Sequence, residues 1–122
     1  VLIGIDDYEH NLLRGCIRDA LMMEKYLTKD LCMPKHRIQC LLGSKKHVSS
    51  DNYHIPTCVN VIQTLNEDNI IVYFSGHGLG YSTVGYCVNA NDSIEALCPI
   101  DHTKGNGSHV PDISNQEIDM VL

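Results

Sequence analysis

Long apolar runs are missing from this chain of 122 residues. None approaches the roughly 18 consecutive apolar residues that a membrane-spanning helix needs, and no charged, apolar and small-residue succession marks a secretory leader. The expectation is a soluble chain with no membrane partner. Positive charge is scarce too. Nine Lys and Arg stand against fifteen Asp and Glu, giving a net charge of −6, and the basic residues are scattered rather than gathered in a stripe. That distribution argues against nucleic acid as a partner. A CxxC pair is also absent. The six cysteines, Cys16, Cys32, Cys40, Cys58, Cys87 and Cys98, are irregularly spaced, and 43% hydrophobic residues suffice for a core without disulfide staples. Reduced thiols in a cytoplasmic protein are expected. The nearest approach to a metal-ligand spacing is Cys32, His36 and Cys40, but Pro34 breaks the helix that such spacing requires, so no metal site is expected there.

What the chain does have is one ordinary domain's worth of alternating pattern. Val1 to Ile5 is a buried-strand pattern, and apolar residues at 13, 17, 20, 21, 27 and 31 have helical spacing. Ile38 to Leu42 is a short strand stopped by Gly43, and Ser44 to His54 is a polar loop. Pro56-Thr57 opens a short helix to about Leu65, and Ile70 to Phe74 is an apolar run that predicts a strand buried on both faces. Strand, helix, strand, helix, strand in this order implies an α/β fold with a mostly parallel sheet flanked by helices. Further on, Leu79 to Val88 predicts a hairpin, with Asn89 to Ile94 its polar exit. Leu97 to Ile100 suggests an edge strand, Thr103 to Ser108 a loop, and a last helix starts near Ser114 with Glu117 completing a capping box. The chain starts inside a strand pattern and stops within an amphipathic helix, so both ends look cut.

The apolar run ends at Ser75-Gly76-His77-Gly78. In open α/β sheets ligands sit outside the carboxyl ends of the strands, where a histidine can exchange a proton near neutral pH. His77 is therefore the leading functional candidate; a satisfied polar group at a strand end is the plain alternative. Gly76, Gly78 and Gly80 fall one place short of a dinucleotide-binding GxGxxG, and no helix follows to hold a pyrophosphate.

Three blocks in order resemble caspase-like cysteine peptidases of the metacaspase branch. Leu2-Ile3-Gly4-Ile5 with Leu13-Arg14-Gly15-Cys16-Ile17-Arg18-Asp19-Ala20 resembles the metacaspase opening. Tyr73 to Gly78 resembles the histidine block. Leu97-Cys98-Pro99-Ile100-Asp101 with Val110 to Ser114 and Glu117-Ile118 resembles the third. The resemblance spans nearly the whole chain and implies a partial caspase-like peptidase domain over residues 1–122, incomplete at both ends. It makes His77 the catalytic histidine and Gly78 an oxyanion donor through its N–H. It also makes Cys16, Asp19 and Ser75 the lining of an S1 pocket that takes Arg or Lys from a protein or peptide substrate.

The family's nucleophilic cysteine lies roughly 50 residues after the histidine. Here the sequence runs 45 residues past His77, and its last cysteine, Cys98, lies 21 residues on, in a block that does not carry the nucleophile. The chain as given is thus expected to hold the histidine without its partner. Calcium is the candidate cofactor implied by the resemblance, with Asp92 and Asp112 the nearest acids by position, both expected to be solvated loop residues. Asn115-Gln116 stand where the family often has paired acids, and the connection from Pro56 to Phe74 is short for the family. The competing reading is a truncated or degenerate caspase fold that binds partners without catalysis. A flavodoxin-like ligand-binding domain is a third.

Overall fold

The computed structural model describes residues 1–9, 11–44, 54–66, 71–82, 93–103 and 109–121. Its first half is a parallel sheet. Strands β1 (Leu2–Ile5), β2 (Cys40–Gly43) and β3 (Tyr73–Ser75) lie in the order β2-β1-β3, with Gly4 opposite both Leu42 and Ser75. Helices α1 (Cys16–Lys29) and α2 (Cys58–Leu65) lie between these strands in the chain, and a 3₁₀ turn at Lys35–Arg37 leads into β2. A second sheet is antiparallel, with β4 (Gly78–Ser82), β5 (Ser93–Leu97) and β6 (Ile113–Ser114) in chain order, followed by α3 (Asn115–Val121). The expected α/β architecture, a parallel sheet flanked by helices, is what the chain adopts.

Side chains alternate across a strand, so a central strand must supply two cores. β1 does so. Ile3 and Ile5 join Leu41, Val61, Leu65, Tyr8, Cys98 and Ile113 on the α2 face, while Leu2 joins Ile17, Ala20, Leu27, Cys40 and Leu42 on the α1 face. Leu2, Ile3 and Ile5 are wholly buried, each contributing about 1.5–3 kcal/mol of hydrophobic stabilisation. Gly4 faces α1. A Cβ there would stand 2.7 Å from the Cys16 carbonyl oxygen and 2.9 Å from the Ile17 Cα, so the glycine is what lets the helix lie on the strand.

Helix ends are fixed as the sequence predicts at two places. Thr57 caps α2, its hydroxyl oxygen accepting from the Asn60 N–H at 3.2 Å. Ser114 and Glu117 form the reciprocal box at α3, with Glu117 N–H to Ser114 Oγ at 3.2 Å and Ser114 N–H to Glu117 Oε2 at 2.8 Å. α1 is shorter than its apolar spacing implies. It starts at Cys16 because Gly15 adopts a left-handed φ of 104°, and Asp6 Oδ1 reaches across to accept the Cys16 N–H at 2.8 Å.

Three expectations need correction. The strand ending at His77 is half-buried rather than covered on both faces, with Ile71 exposed. It ends the described sheet, and β1 takes the enclosed place instead. The polar exit placed at Asn89 to Ile94 contains the start of β5, which pairs back on β4 from Gly78↔Leu97 to Ser82↔Ser93; residues 83–88 of the hairpin expected over Leu79 to Val88 lie outside the described residues. Leu97 to Ile100 is not a strand. β5 stops at Leu97, Pro99 has no N–H to donate, and the Ile100 N–H turns to the Pro56 carbonyl at 3.0 Å. The predicted loops at 44–54 and 103–108 fall mostly outside the described residues.

Substituting Gly4→Ala should cost about 1–3 kcal/mol in chemical denaturation, because backbone on α1 must yield. Unchanged stability would show that α1 does not rest on β1 in this way.

Candidate active site

Parallel strands end on the same side of their sheet, so the loops after β1 and β3 emerge together. The loop after β1 brings Tyr8 and Asn11; the one after β3 brings Gly76 and His77. The His77 ring packs against the Tyr8 ring with centroids 4.6 Å apart and planes tilted by 56°. Its Nε2 lies 2.7 Å from the Asn11 carbonyl oxygen. A carbonyl oxygen can only accept, so Nε2 carries the hydrogen and Nδ1 presents the lone pair. Asn11 makes this reach with a left-handed φ of 64°, a conformation asparagine tolerates better than most residues.

The histidine's backbone is fixed by a closed ring of hydrogen bonds. The His77 N–H donates to the Tyr8 hydroxyl at 2.9 Å, that hydroxyl donates to the Cys98 carbonyl at 2.9 Å, and the Cys98 N–H donates to the His77 carbonyl at 3.0 Å. Tyr8 is buried, and burial, the largest influence on it, pushes its phenol above the usual tyrosine range. The proton needed for the ring is thereby retained. Gly76 makes room, since a Cβ there would come within 2.5 Å of the Tyr8 hydroxyl oxygen. The Cys98 to His77 bond also sets the phase of the antiparallel ladder. The next pair, Gly78↔Leu97, is then a non-hydrogen-bonded one, which turns the Gly78 N–H away from β5.

Of the remaining sequence-derived candidates, the Ser75 register position on β3 and the Cys16 backbone meet at Gly4, while Asp19, in the first turn of α1, lies one residue before the Ala20 that packs there. Asp19 is partly exposed and pairs with Arg18 at 3.6 Å. An ion pair of that exposure adds little stability and is readily exchanged.

A family model described as metacaspase, peptidase C14 domain, matches residues 1–121. The chain belongs to this family. Membership makes it a cysteine-peptidase-like chain, of a class whose activity is proteolysis. No individual curated protein matches it. For the metacaspase family, calcium at Asp112 is a poor fit in this chain. The Asp112 carboxylate is 3% exposed rather than solvated, takes the Tyr81 hydroxyl on Oδ2, and faces His102 and Cys98. An imidazole and a thiol do not suit a cation that seeks six to eight oxygens. Asp92 lies outside the described residues. The five described cysteines are not joined in disulfides, and no described helix is long and apolar enough to cross a membrane.

Sequence reasoning missed Tyr8 and Asn11. The contribution of Asn11 is a backbone carbonyl, which leaves no side-chain signature, although an Asn in a short polar loop is a usable hint of left-handed backbone.

Tyr8→Phe should leave the His77 N–H and the Cys98 carbonyl without their partner, at about 1–3 kcal/mol for each group left buried and unsatisfied. The pH dependence has a definite sign. Burial raises the phenol's pKa in the folded state, so its contribution is full below the ordinary tyrosine value near pH 10 and is lost as pH rises through the folded value. Stability of the wild type should therefore fall more steeply above about pH 10 than that of Tyr8→Phe, measured by denaturation across that range. Parallel curves would contradict the burial of this hydroxyl.

Proposed function

We propose that this chain supplies the acid–base and oxyanion-binding half of a cysteine endopeptidase that cleaves after Arg or Lys. The contact between His77 Nε2 and the Asn11 carbonyl carries the reading. It leaves Nδ1 as the one ring atom able to take up and return a proton, while the ring of hydrogen bonds through Tyr8 keeps the imidazole in place. In the reaction His77 Nδ1 takes the proton of a cysteine thiol, the resulting thiolate attacks the scissile carbonyl carbon, and the carbonyl π pair moves onto oxygen. The Gly78 N–H supports that oxyanion. Collapse of the intermediate re-forms the carbonyl and breaks the C–N bond, and the leaving amine takes the proton held on His77 Nδ1. Water activated by His77 then hydrolyses the thioester. The resemblance sets the nucleophile roughly 50 residues after the histidine. Among the described residues the outer edge of β3 is unpaired, so a further strand bearing that cysteine has a place to dock beside His77.

Selectivity follows from Asp19. A substrate guanidinium or ammonium can replace Arg18 as its partner at small cost, and an acidic or apolar side chain cannot. Cys16 and Ser75 flank the same place as small polar neighbours of the incoming side chain.

In the protein that joins this chain to its nucleophilic cysteine, His77→Ala should lower kcat at least roughly 100-fold with the protein still folded. Asp19→Asn should instead lower kcat/KM for Arg and Lys substrates roughly tenfold or more while leaving the chemical step on an unselective acylating reagent intact. Full cleavage by His77→Ala would overturn the assignment of the base, and unaltered preference in Asp19→Asn that of the pocket.

A further inference from the structure

Next to the His77 loop, to which the Cys98 backbone is bonded, three donors of the kind that hold transition metals converge. The Cys98 thiol, a His102 ring nitrogen and an Asp112 carboxylate oxygen all lie within 4.8 Å of one another. All three are shielded: Cys98 is 1% exposed, and the His102 and Asp112 side chains are 15% and 3% exposed. Asp112 Oδ1 lies 2.5 Å from His102 Nδ1, an ion pair when the imidazole is protonated, and no hydrogen bond from the described residues reaches this buried oxygen. A buried carboxylate oxygen needs a positive partner, which a protonated His102 or a metal ion held between the two can supply.

We propose that Cys98, His102 and Asp112 form a binding site for a divalent transition metal of the zinc class, separate from the peptidase chemistry. Sulfur, nitrogen and oxygen donors in this mix select zinc or cobalt over calcium and magnesium, and three protein ligands leave a fourth tetrahedral position for water. Binding displaces the Cys98 thiol proton to solvent and separates His102 Nδ1 and Asp112 Oδ1 to roughly 3.3 Å, the span of two tetrahedral ligands at ordinary bond lengths. The surroundings suit the role. The Tyr81 hydroxyl holds Oδ2 of Asp112, an outer partner that orients the carboxylate. The His102 N–H bonds the Pro99 carbonyl at 3.1 Å, closing the short turn that carries histidine back toward cysteine. Because the Cys98 backbone is bonded to both Tyr8 and His77, a metal on its sulfur would stiffen the support of the histidine.

The test uses the whole chain, stripped of metal with a chelator and titrated with Co²⁺. One equivalent should produce a thiolate-to-cobalt charge-transfer band in the near ultraviolet together with the visible bands of four-coordinate cobalt. Zn²⁺ should bleach both, and millimolar Ca²⁺ should not. Cys98→Ser should abolish the charge-transfer band. His102→Ala, a change at a less enclosed side chain, should weaken binding by more than the roughly 10- to 100-fold expected for losing an outer partner. Cys32→Ser, at an exposed cysteine outside the cluster, should titrate like the wild type. If Cys98→Ser fails to fold, His102→Ala decides alone. The proposal is overturned if the wild type gives no charge-transfer band, or if His102→Ala binds cobalt as tightly as wild type does.

Discussion

One hydroxyl group ties the two halves of this molecule together. Tyr8 leaves the parallel sheet at the end of β1, and its oxygen accepts from the backbone of His77 and donates to that of Cys98. Those two residues are where the chain passes into and out of the β4–β5 ladder. Without that oxygen the histidine would hang from a three-residue strand that ends the described sheet, and the backbones of His77 and Cys98 would lose their shared link to the loop after β1. A hydroxyl can donate once and accept at the same time, which is what a buried junction between an N–H and a carbonyl requires. Phenylalanine would fill the space and lose the junction.

The geometry of the candidate site follows from a division of labour along the sequence. β1 is enclosed on both faces and gives up its side-chain identity at Gly4 so that α1 can lie directly on it. This sets the start of α1, with Cys16 and Asp19, beside the carboxyl ends of β1 and β3. The same loop that leaves β1 caps α1 through Asp6, stacks on His77 through Tyr8 and fixes the ring's tautomer through Asn11. Six residues thus carry three separate positioning tasks. The Cys98 segment mirrors them on the other side: its backbone holds His77, and Asp101 accepts the Cys58 N–H at 2.8 Å to anchor the start of α2.

Much of this architecture is legible in the residues. The continuous apolar character of Leu2 to Ile5, the helical spacing after Gly15, and the Thr57 and Ser114 caps each follow from local physics that tertiary packing reinforces. His77 stands out because an apolar strand halts at it between glycines. The misreadings have an equally physical origin. Ile70 to Phe74 has the composition of an enclosed strand, but composition does not say whether a neighbour is present at each edge. β5, Ser-Ile-Glu-Ala-Leu, has one clear β-former, and its pairing with β4 supplies what its propensity lacks. Asp112 reads as a loop acid because its partners, Tyr81, His102 and Cys98, are 31, 10 and 14 residues away in sequence. Backbone groups such as the Asn11 carbonyl leave no mark in composition at all.

The acid–base role proposed for His77 requires its hydrogen on Nε2 and its basic lone pair on Nδ1. Long-range ¹H–¹⁵N correlation spectra of the ¹⁵N-labelled chain, recorded above the histidine's titration, report the tautomer of each imidazole directly. His77 should show a protonated Nε2 and a pyridine-like Nδ1, with this pattern averaged toward an even mixture in Asn11→Pro, where the carbonyl is turned away. A His77 ring protonated on Nδ1 in the native chain would contradict that role.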